Sequence, residues 1–410
     1  MTTSSSFYLG PRKSRLPVKT WDDVVAAAAA GVLDENHWVE LKQAVPAANK
    51  PANLELARDL ASLSVDGGVF IVGVEDAGGA AGAVVGTPLE GLRTRITQVA
   101  SMRIDPPLSV AFDVFPKPGD PDVGVLVVSV PASEGAPHQV DQRYWGRNDQ
   151  GKRALGNDEV RRLLADRQAR SDGFVDRLRE VSVRLDGENL SDRGRLFLLL
   201  EPGAESGQPV TDLLAGKILL QVAGEARLFE PQWYPSLYSI HNNLAHPDGL
   251  AATSWLPDDG PSNKDPLSIL LTDEGSLLMA CPAVQLYGRE VDAPAVVVTG
   301  HVLETLHSAV ALAAYVANEY TGYQGIWRGG VLVTGLRGLL PSQAYNEMTF
   351  QRFAPYPVDE YVMTTDTSTR EMTEATSVVV ERLAKRLLRG LGVVNRFLPY
   401  SDPSDIARRL

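Results

Sequence analysis

The chain has 410 residues, 44% of them hydrophobic and 22% charged, so it is long enough for two or three folded domains and too apolar for a disordered protein. Its single cysteine, Cys281, excludes an intrachain disulfide and a cysteine-rich zinc site. The formal net charge of −12 argues against strong nonspecific binding to polyanions, although residues 1–170 carry only −2 of it.

Hydropathy along the chain predicts a cytoplasmic protein without a membrane span. Residues 1–7 form a polar stretch and lack the charged and apolar regions of a secretory leader. The most apolar long segment, 295–316, is interrupted by His301, Glu304 and His307. We therefore expect a protein of a reducing compartment, in agreement with the lone cysteine.

The first 170 residues predict a domain of mixed helices and strands. Thr20 and Asp23 have the spacing of a capping box and predict a helix at 24–30 that Gly31 ends. The other predicted elements are a strand at 37–42, a helix from an Asn53 cap to Ser64, a buried strand at 69–74, strands near 83–85, 108–115, 124–130 and 144–147, and a helix at 158–170. This order favours an α+β domain at 1–170, a mixed sheet with flanking helices, over a regular βαβ repeat.

Residues 171–410 predict a second α+β domain, which begins with a charged helix at 170–187. The further predictions are strands at 195–200, 268–271, 277–281, 293–299 and 330–336, and helices at 210–222, 302–320 and 371–390. Most of the net negative charge of the chain lies here, with a net of −10. An acidic domain of this size attached to another module suggests a sensor, a dimerisation unit or a partner-binding unit.

Three acidic residues are candidates for a metal site. Glu35, Glu40 and Asp76 lie at the ends of two segments that the pattern places side by side. Three converging carboxylates repel one another unless a hard cation lies between them, and oxygen ligands without His or Cys suit Mg²⁺ or Mn²⁺. Such an ion activates water against a phosphodiester. Because the chain has 51 acidic residues, ordinary solvated side chains are the alternative interpretation.

Basic and aromatic residues indicate nucleic-acid binding. Lys42 follows Glu40 by two residues, so we expect both side chains on one strand face, with Lys42 near a phosphate oxygen. A second group combines cations with rings that can stack bases, and comprises Arg143, Tyr144, Trp145, Arg147, Lys152 and Arg153. A solvated loop is the alternative interpretation. No phosphate-binding loop motif occurs, so the sequence does not predict a mononucleotide-binding fold.

The N-terminal segments resemble a known family. The string Glu35-Asn-His-Trp-Val-Glu-Leu-Lys42 is followed by a helix ending in Gly67-Gly68 and by Val69-Phe-Ile-Val-Gly-Val-Glu-Asp76 with a glycine-rich hairpin. Over roughly residues 15–170 this order resembles the AlbA-2 domain of Schlafen proteins. Leu41 stands where that family usually has an aromatic residue, and Ser64 and Val65 stand where it usually has Asn and Thr.

The resemblance implies a function. In the Schlafen family an acidic triad cleaves RNA, and Glu35, Glu40 and Asp76 occupy the matching positions. We therefore expect a metal-dependent endoribonuclease, with Mg or Mn at these three residues and the basic residues on the RNA backbone. Schlafens wrap RNA between two such lobes, so a homodimer is predicted. The alternatives are a non-catalytic, DNA-binding transcriptional regulator with a C-terminal sensor domain, and a protein scaffold that binds no nucleic acid.

Overall fold

The computed structural model of the chain describes residues 5–10, 16–133, 135–186, 194–203, 209–227, 240, 242–254, 267–287, 293–323, 325–345 and 352–409. Helix makes up 37% and strand 31%, in several mixed sheets, which confirms the predicted α+β class. The fold divides into a first unit, which consists mainly of Met1–Asp172, and a second unit that contains most of the chain from Gly173 onward. Among the described residues, no helix combines the length and the apolar character needed to cross a membrane.

The first unit contains a small mixed sheet with helices on both faces. Its helices are α1 (Trp21–Ala29), α2 (Lys50–Leu63), α3 (Leu92–Met102) and α4 (Asn157–Asp172). Its strands are β1 (Ser5–Phe7), β2 (Leu16–Val18), β3 (Val39–Lys42), β4 (Gly68–Val72), β5 (Val74–Asp76), β6 (Ala81–Val84), β7 (Thr87–Pro88), β8 (Ala111–Lys117), β9 (Asp120–Val130), β10 (Gln139–Val140), β11 (Arg143–Asn148) and β12 (Gly151–Ala154).

The main sheet of this unit has the strand order β3-β4-β9-β7, and β8 also pairs with β9. Strands β3 and β4 are parallel, whereas β9 runs antiparallel to its neighbours. Alternate residues of the buried strands enter two cores, as the strand period of two requires. Phe70 and Leu126 pack with α2 and α3, whereas Val69 and Val127 pack with α1. Three smaller sheets accompany it, the β1–β2 pair, the β5–β6 hairpin and the β10-β11-β12 ladder.

The observed N-terminal ends of the helices can be compared with those predicted from the sequence. The capping box before α1 is confirmed, because Thr20 accepts a hydrogen bond from the Asp23 amide and Asp23 accepts one from the Thr20 amide. The Asn53 cap was wrong. Asn49 caps α2, and Pro51 lies in the first helical turn, where the N–H that proline lacks has no intrahelical acceptor. Helix α3 was not predicted, although Leu92, Ile96 and Val99 form its buried stripe.

The second unit is built on a seven-stranded antiparallel sheet. Its helices are α5 (Phe174–Asp186), α6 (Val210–Leu213), α7 (Leu219–Glu225), α8 (Thr299–Val316), α9 (Thr369–Glu374), α10 (Thr376–Gly390), α11 (Val394–Phe397) and α12 (Pro403–Ala407). Its strands are β13 (Arg195–Pro202), β14 (Asn242–His246), β15 (Gly249–Thr253), β16 (Ser268–Thr272), β17 (Leu277–Pro282), β18 (Val284–Leu286), β19 (Ala295–Val297), β20 (Ile326–Val333), β21 (Leu340–Pro341) and β22 (Tyr361–Ser368). The sheet order is β14-β15-β16-β17-β13-β20-β22.

Helices cover this sheet and bury its central strands. Phe174 and Leu178 of α5 form a core with residues of β13, β16 and β17, while α8 packs against β13, β17 and α10. The predicted helix at 210–222 is instead two short helices, because Ala215 and Gly216 between them have φ of 50° and 82°. The predicted helix at 371–390 is likewise divided at Ala375.

Candidate nucleic-acid interface

The three predicted acidic residues lie in neighbouring segments of the first unit. Glu35 precedes β3, Glu40 is in β3, and Asp76 ends β5. The Glu35 amide donates to the Gly79 carbonyl at 2.8 Å, which brings the β5–β6 hairpin beside the start of β3. The carboxylates of Glu35 and Asp76 each accept a main-chain hydrogen bond: Glu35 Oε1 from the Leu41 amide at 3.0 Å, and Asp76 Oδ1 from the Gly79 amide at 2.7 Å.

The charges of Glu40 and Asp76 act on Glu35. Burial raises the pKa of Glu35, and the negative charges of Glu40 and Asp76 raise it further, against the opposing hydrogen bond from the Leu41 amide. A carboxylate whose pKa responds to two neighbouring carboxylates lies within the range of their Coulomb repulsion. The fold therefore gathers the three acids into one region of the first unit.

Glu40 is the most enclosed of the three and is fully engaged by cations. Its side chain is 6% exposed, with Oε1 accepting from Lys42 Nζ and Oε2 accepting from Arg147 Nη1 at 2.6 Å. Burial opposes ionisation here, but the charges and hydrogen bonds of Arg147 and Lys42 outweigh it and lower the pKa of Glu40. Breaking such a buried pair by removing one partner leaves an uncompensated charge, which is strongly destabilising.

These contacts determine whether the acids fit a divalent cation. Both Glu40 oxygens already accept from cationic donors, and one oxygen each of Glu35 and Asp76 accepts from a main-chain amide. Across the described ranges, no three or more His, Cys, Asp or Glu side chains are grouped to hold a metal ion. A divalent cation bound by all three carboxylates would have to replace Lys42 or Arg147 at Glu40.

A fourth acid, Asp59 of α2, was missed by the sequence reasoning. Asp59 is 2% exposed, and its carboxylate accepts from Lys152 Nζ, which also contacts Glu55 Oε1 at 2.7 Å. Burial, then the charge of Glu40, raises the pKa of Asp59 to about 6, against the opposing effect of Lys152. The signal was present in the pattern, because Asp59 interrupts the apolar face that Leu56 and Leu60 define.

The predicted basic group is divided by the pleat of β11 and β12. Trp145 contacts Arg58 of α2, and Arg147 contacts Glu40 of β3. Lys152, which lies opposite Arg147 in the ladder, contacts Asp59 of α2. Arg153 belongs to the other face and forms two hydrogen bonds, at 2.6 and 2.8 Å, with Glu159 of α4. Tyr144, adjacent to Trp145, is half-buried. Because Arg147 has a side chain only 1% exposed, its contacts are internal to the fold.

Charged side chains of alternating sign run along α2 and the adjoining hairpins. Lys42 and Lys152 both interact with Asp59, Lys152 reaches Glu55, Glu55 lies 3.4 Å from Arg58, and Arg58 lies 3.9 Å from Asp141. We call this set, with Arg143 at its end, the α2 charge row: Lys42, Asp59, Lys152, Glu55, Arg58, Asp141 and Arg143. Burial lowers the pKa of Lys42 and Lys152, but the neighbouring carboxylates outweigh that effect and the pKa of both is raised.

A surface groove of about 520 Å³ lies at one end of the α2 charge row. Arg58, Asp141, Gln142, Arg143 and Trp145 line it. The Arg58 guanidinium lies over the Trp145 ring, 5.0 Å from its centroid, and the indole N–H donates to the Val140 carbonyl at 3.2 Å. Sequence reasoning identified Arg143 and Trp145 and missed the other three residues.

Comparison with known proteins identifies the N-terminal region. Residues 35–156 match the family model of the Schlafen AlbA_2 domain, so the resemblance found in the sequence is confirmed there. The matched segment begins at Glu35 and ends just before α4, inside the bounds first expected. The match associates this region of the chain with a nucleic-acid-related function.

Other comparisons add little. No curated protein matches the chain. The crystal structure of the DIP2311 protein from Corynebacterium diphtheriae is 22% identical over 36% of this chain, with a TM-score of 0.24. This chain covers 29% of that protein's length, and a likeness at this TM-score carries no argument about function.

Proposed function

We propose that the first unit is a nucleic-acid-binding module that holds single-stranded RNA along the α2 charge row. The observation that carries the proposal is a row of cations within a Schlafen AlbA_2 segment of a chain whose net charge is −12. Arg58 and Arg143 line one groove, Lys152 is linked to Arg58 through Glu55, and the charge of Asp59 acts on both Lys152 and Lys42. A local row of cations attracts a phosphate backbone even where the whole chain is acidic.

The carboxylates of the row position its cations before RNA binds. Buried Asp59 and Glu40 hold the two lysines in place, so less side-chain entropy is lost when a phosphate is bound. Glu55 and Asp141 are 50% and 66% exposed, so a phosphate can replace them as partners of Lys152 and Arg58 with little desolvation. The row therefore binds by exchange of exposed carboxylates for phosphates.

Salt dependence tests this proposal. Four cations that each neutralise one phosphate of a single strand predict a slope of about −3 for log K against log salt concentration. We expect fluorescence polarisation of labelled oligouridine to give that slope, and Lys152→Gln to reduce its magnitude by about 0.7. Lys117→Gln is the control, because the exposed Lys117 lies over the ring of Trp21, a residue of the core on the other side of the sheet. Absence of binding to RNA and DNA at low salt would refute the proposal and favour the scaffold interpretation.

A metal-dependent endoribonuclease at Glu35, Glu40 and Asp76 is the second candidate function. The main-chain hydrogen bond from Glu35 to Gly79 of the β5–β6 hairpin, together with the effect of the Glu40 and Asp76 charges on the pKa of Glu35, favours it. Incubation of labelled tRNA with the full chain in Mn²⁺, Mg²⁺ or EDTA tests it. Cleavage that EDTA and Asp76→Asn both abolish supports this candidate. RNA binding without cleavage in any of the three conditions excludes it, and EDTA-sensitive cleavage that persists in Glu40→Ala excludes the triad assignment.

The remaining expectations stay predictions with direct tests. Preference for duplex DNA over RNA in the same titration would favour the DNA-binding regulator. Analytical ultracentrifugation of the full chain with and without RNA tests the homodimer. The second unit is proposed as a sensor, dimerisation or partner-binding domain, and a cytoplasmic location is proposed for the chain.

A further inference from the structure

We propose that the groove beside Trp145 binds one unpaired guanine nucleotide of a single-stranded nucleic acid. The inference rests on the proposed function and deepens it by naming a base and the groups that recognise it. In this arrangement the base stacks on the plane of the Arg58 guanidinium, whose N–H edge meets a phosphate in place of Asp141. The edge of the base faces the released Asp141 carboxylate and Gln142, and an adjoining phosphate meets Arg143. The base-reading residues thus lie outside the acidic trio.

The turn that carries the base-reading residues has an unusual sequence for its backbone. Val140 pairs with Arg143, which leaves Asp141 and Gln142 as a two-residue hairpin loop with φ of 52° and 62°. Two positive φ values define a type I′ turn, for which Asn-Gly is strongly preferred because both positions are left-handed. Glutamine is unfavourable there on conformational grounds. Its presence in a turn that lines the groove points to a role for the side chain itself.

The groups around the groove retain hydrogen-bonding capacity. Within the described part of the chain, the side chains of Gln142 and Arg143 have no hydrogen bond or ion pair. Arg58 has only long contacts, at 3.4 and 3.9 Å, and its buried Nε has no partner among the described residues. Asp141 is 66% exposed and has only the 3.9 Å contact. Lys42, Lys152 and Arg147, by contrast, form contacts of 2.7 Å or less.

The chemistry of these groups matches guanine. Guanine presents two adjacent N–H donors on its Watson–Crick edge, which one carboxylate can accept together, and its O6 and N7 accept from amide or guanidinium donors. Uracil presents a single N–H donor between two carbonyl acceptors, which repel a carboxylate. A guanidinium plane is a known platform for an unpaired base, and Arg58 already lies on the indole of Trp145. The volume of about 520 Å³ is within the usual range for small-ligand sites.

Four probes test the base assignment on the full chain. They are nine-nucleotide oligouridines with guanosine, inosine, adenosine or uridine at the centre, titrated by fluorescence polarisation at one salt concentration. Inosine lacks only the 2-amino group, so it isolates one of the two donors. We expect guanosine to bind about tenfold more tightly than uridine and severalfold more tightly than inosine. Equal affinity for all four overturns the inference but leaves the proposed function standing, whereas no binding to any overturns both.

Two variants separate base recognition from folding. Asp141→Asn tolerates the left-handed conformation and removes the carboxylate, and Gln142→Gly relaxes the turn and removes the amide. We expect both to lose most of the guanosine preference, measured as the ratio of guanosine-probe to uridine-probe affinity, while retaining wild-type thermal stability or better. Arg143→Gln should weaken all four probes by a similar factor, as loss of a phosphate contact does. Undiminished guanosine preference in Asp141→Asn and Gln142→Gly overturns the inference.

Discussion

Replacing Asp59 with asparagine should change how the stability of the first unit depends on pH. Burial, and after it the charge of Glu40, raises the pKa of Asp59 from 3.8 to about 6, with Lys152 opposing the rise. A carboxyl group with a higher pKa in the folded state binds its proton more tightly there, so its ionisation destabilises the fold as pH rises from about 4 to about 6. The interval between these two pKa values corresponds to about 3 kcal/mol.

Hydrogen exchange measures this effect in the intact chain. Wild type and Asp59→Asn are compared at the same pH between 4 and 7, so that the intrinsic exchange rates cancel, and opening free energies are read from peptides of α2 and β11. We expect the variant to gain up to about 3 kcal/mol relative to wild type as pH rises across this interval. Exposed Asp120, changed to asparagine, is the control. A stability difference that is constant with pH, or that changes in the opposite direction, would refute the reasoning.

Three further predictions address other parts of the chain. Arg147→Met should lower the free energy of unfolding by about 3–5 kcal/mol because it leaves the buried Glu40 charge undercompensated. Adding Glu40→Gln to this variant should recover most of the loss, and a double-mutant cycle with additive effects would contradict this. Gln142→Gly should raise thermal stability by about 1 kcal/mol, since it removes a left-handed side-chain residue, and unchanged or lower stability would argue against strain in the turn. In the second unit, burial lowers the pKa of His301 and His307 to about 4. The free energy of unfolding should therefore fall by up to about 3 kcal/mol for each histidine as pH drops from 6.5 towards 4. Hydrogen exchange of α8 measures this, and a pH dependence that is the same in His307→Gln as in wild type would exclude His307 as a cause.

Local signals in the chain predict some elements well and others poorly. The Thr20–Asp23 capping box and the apolar run at Val69–Val72 are local patterns with one favoured structure, and both are observed. The start of α2 was wrongly predicted at Asn53; the helix is capped by Asn49 and includes Pro51, which the first helical turn tolerates. Helix α3 was not predicted, although Leu92, Ile96 and Val99 have a regular helical spacing.

In the candidate site, some contacts were predicted from the sequence and others were not. Strand alternation predicts that Glu40 and Lys42 share a face, and their contact agrees with it. The same alternation in β11 and β12 separates residues that the sequence suggested as one cluster, since Lys152 reaches Asp59 whereas Arg153 binds Glu159. That separation depends on the register of the hairpin, which is set by turn geometry and by packing against α2.

Residue types and spacing alone determined the α+β class, the Schlafen AlbA_2 character of residues 35–156 and the presence of acidic and basic candidates, because each depends on short-range periodicity or on a linear motif. Only the tertiary structure decided which opposite charges pair. Arg147 is 107 residues from Glu40, and Lys152 is 93 residues from Asp59, so their pairing depends on how distant strands and α2 pack together. Partner choice over such separations is a property of the folded core, where burial makes an unpaired charge too costly to leave.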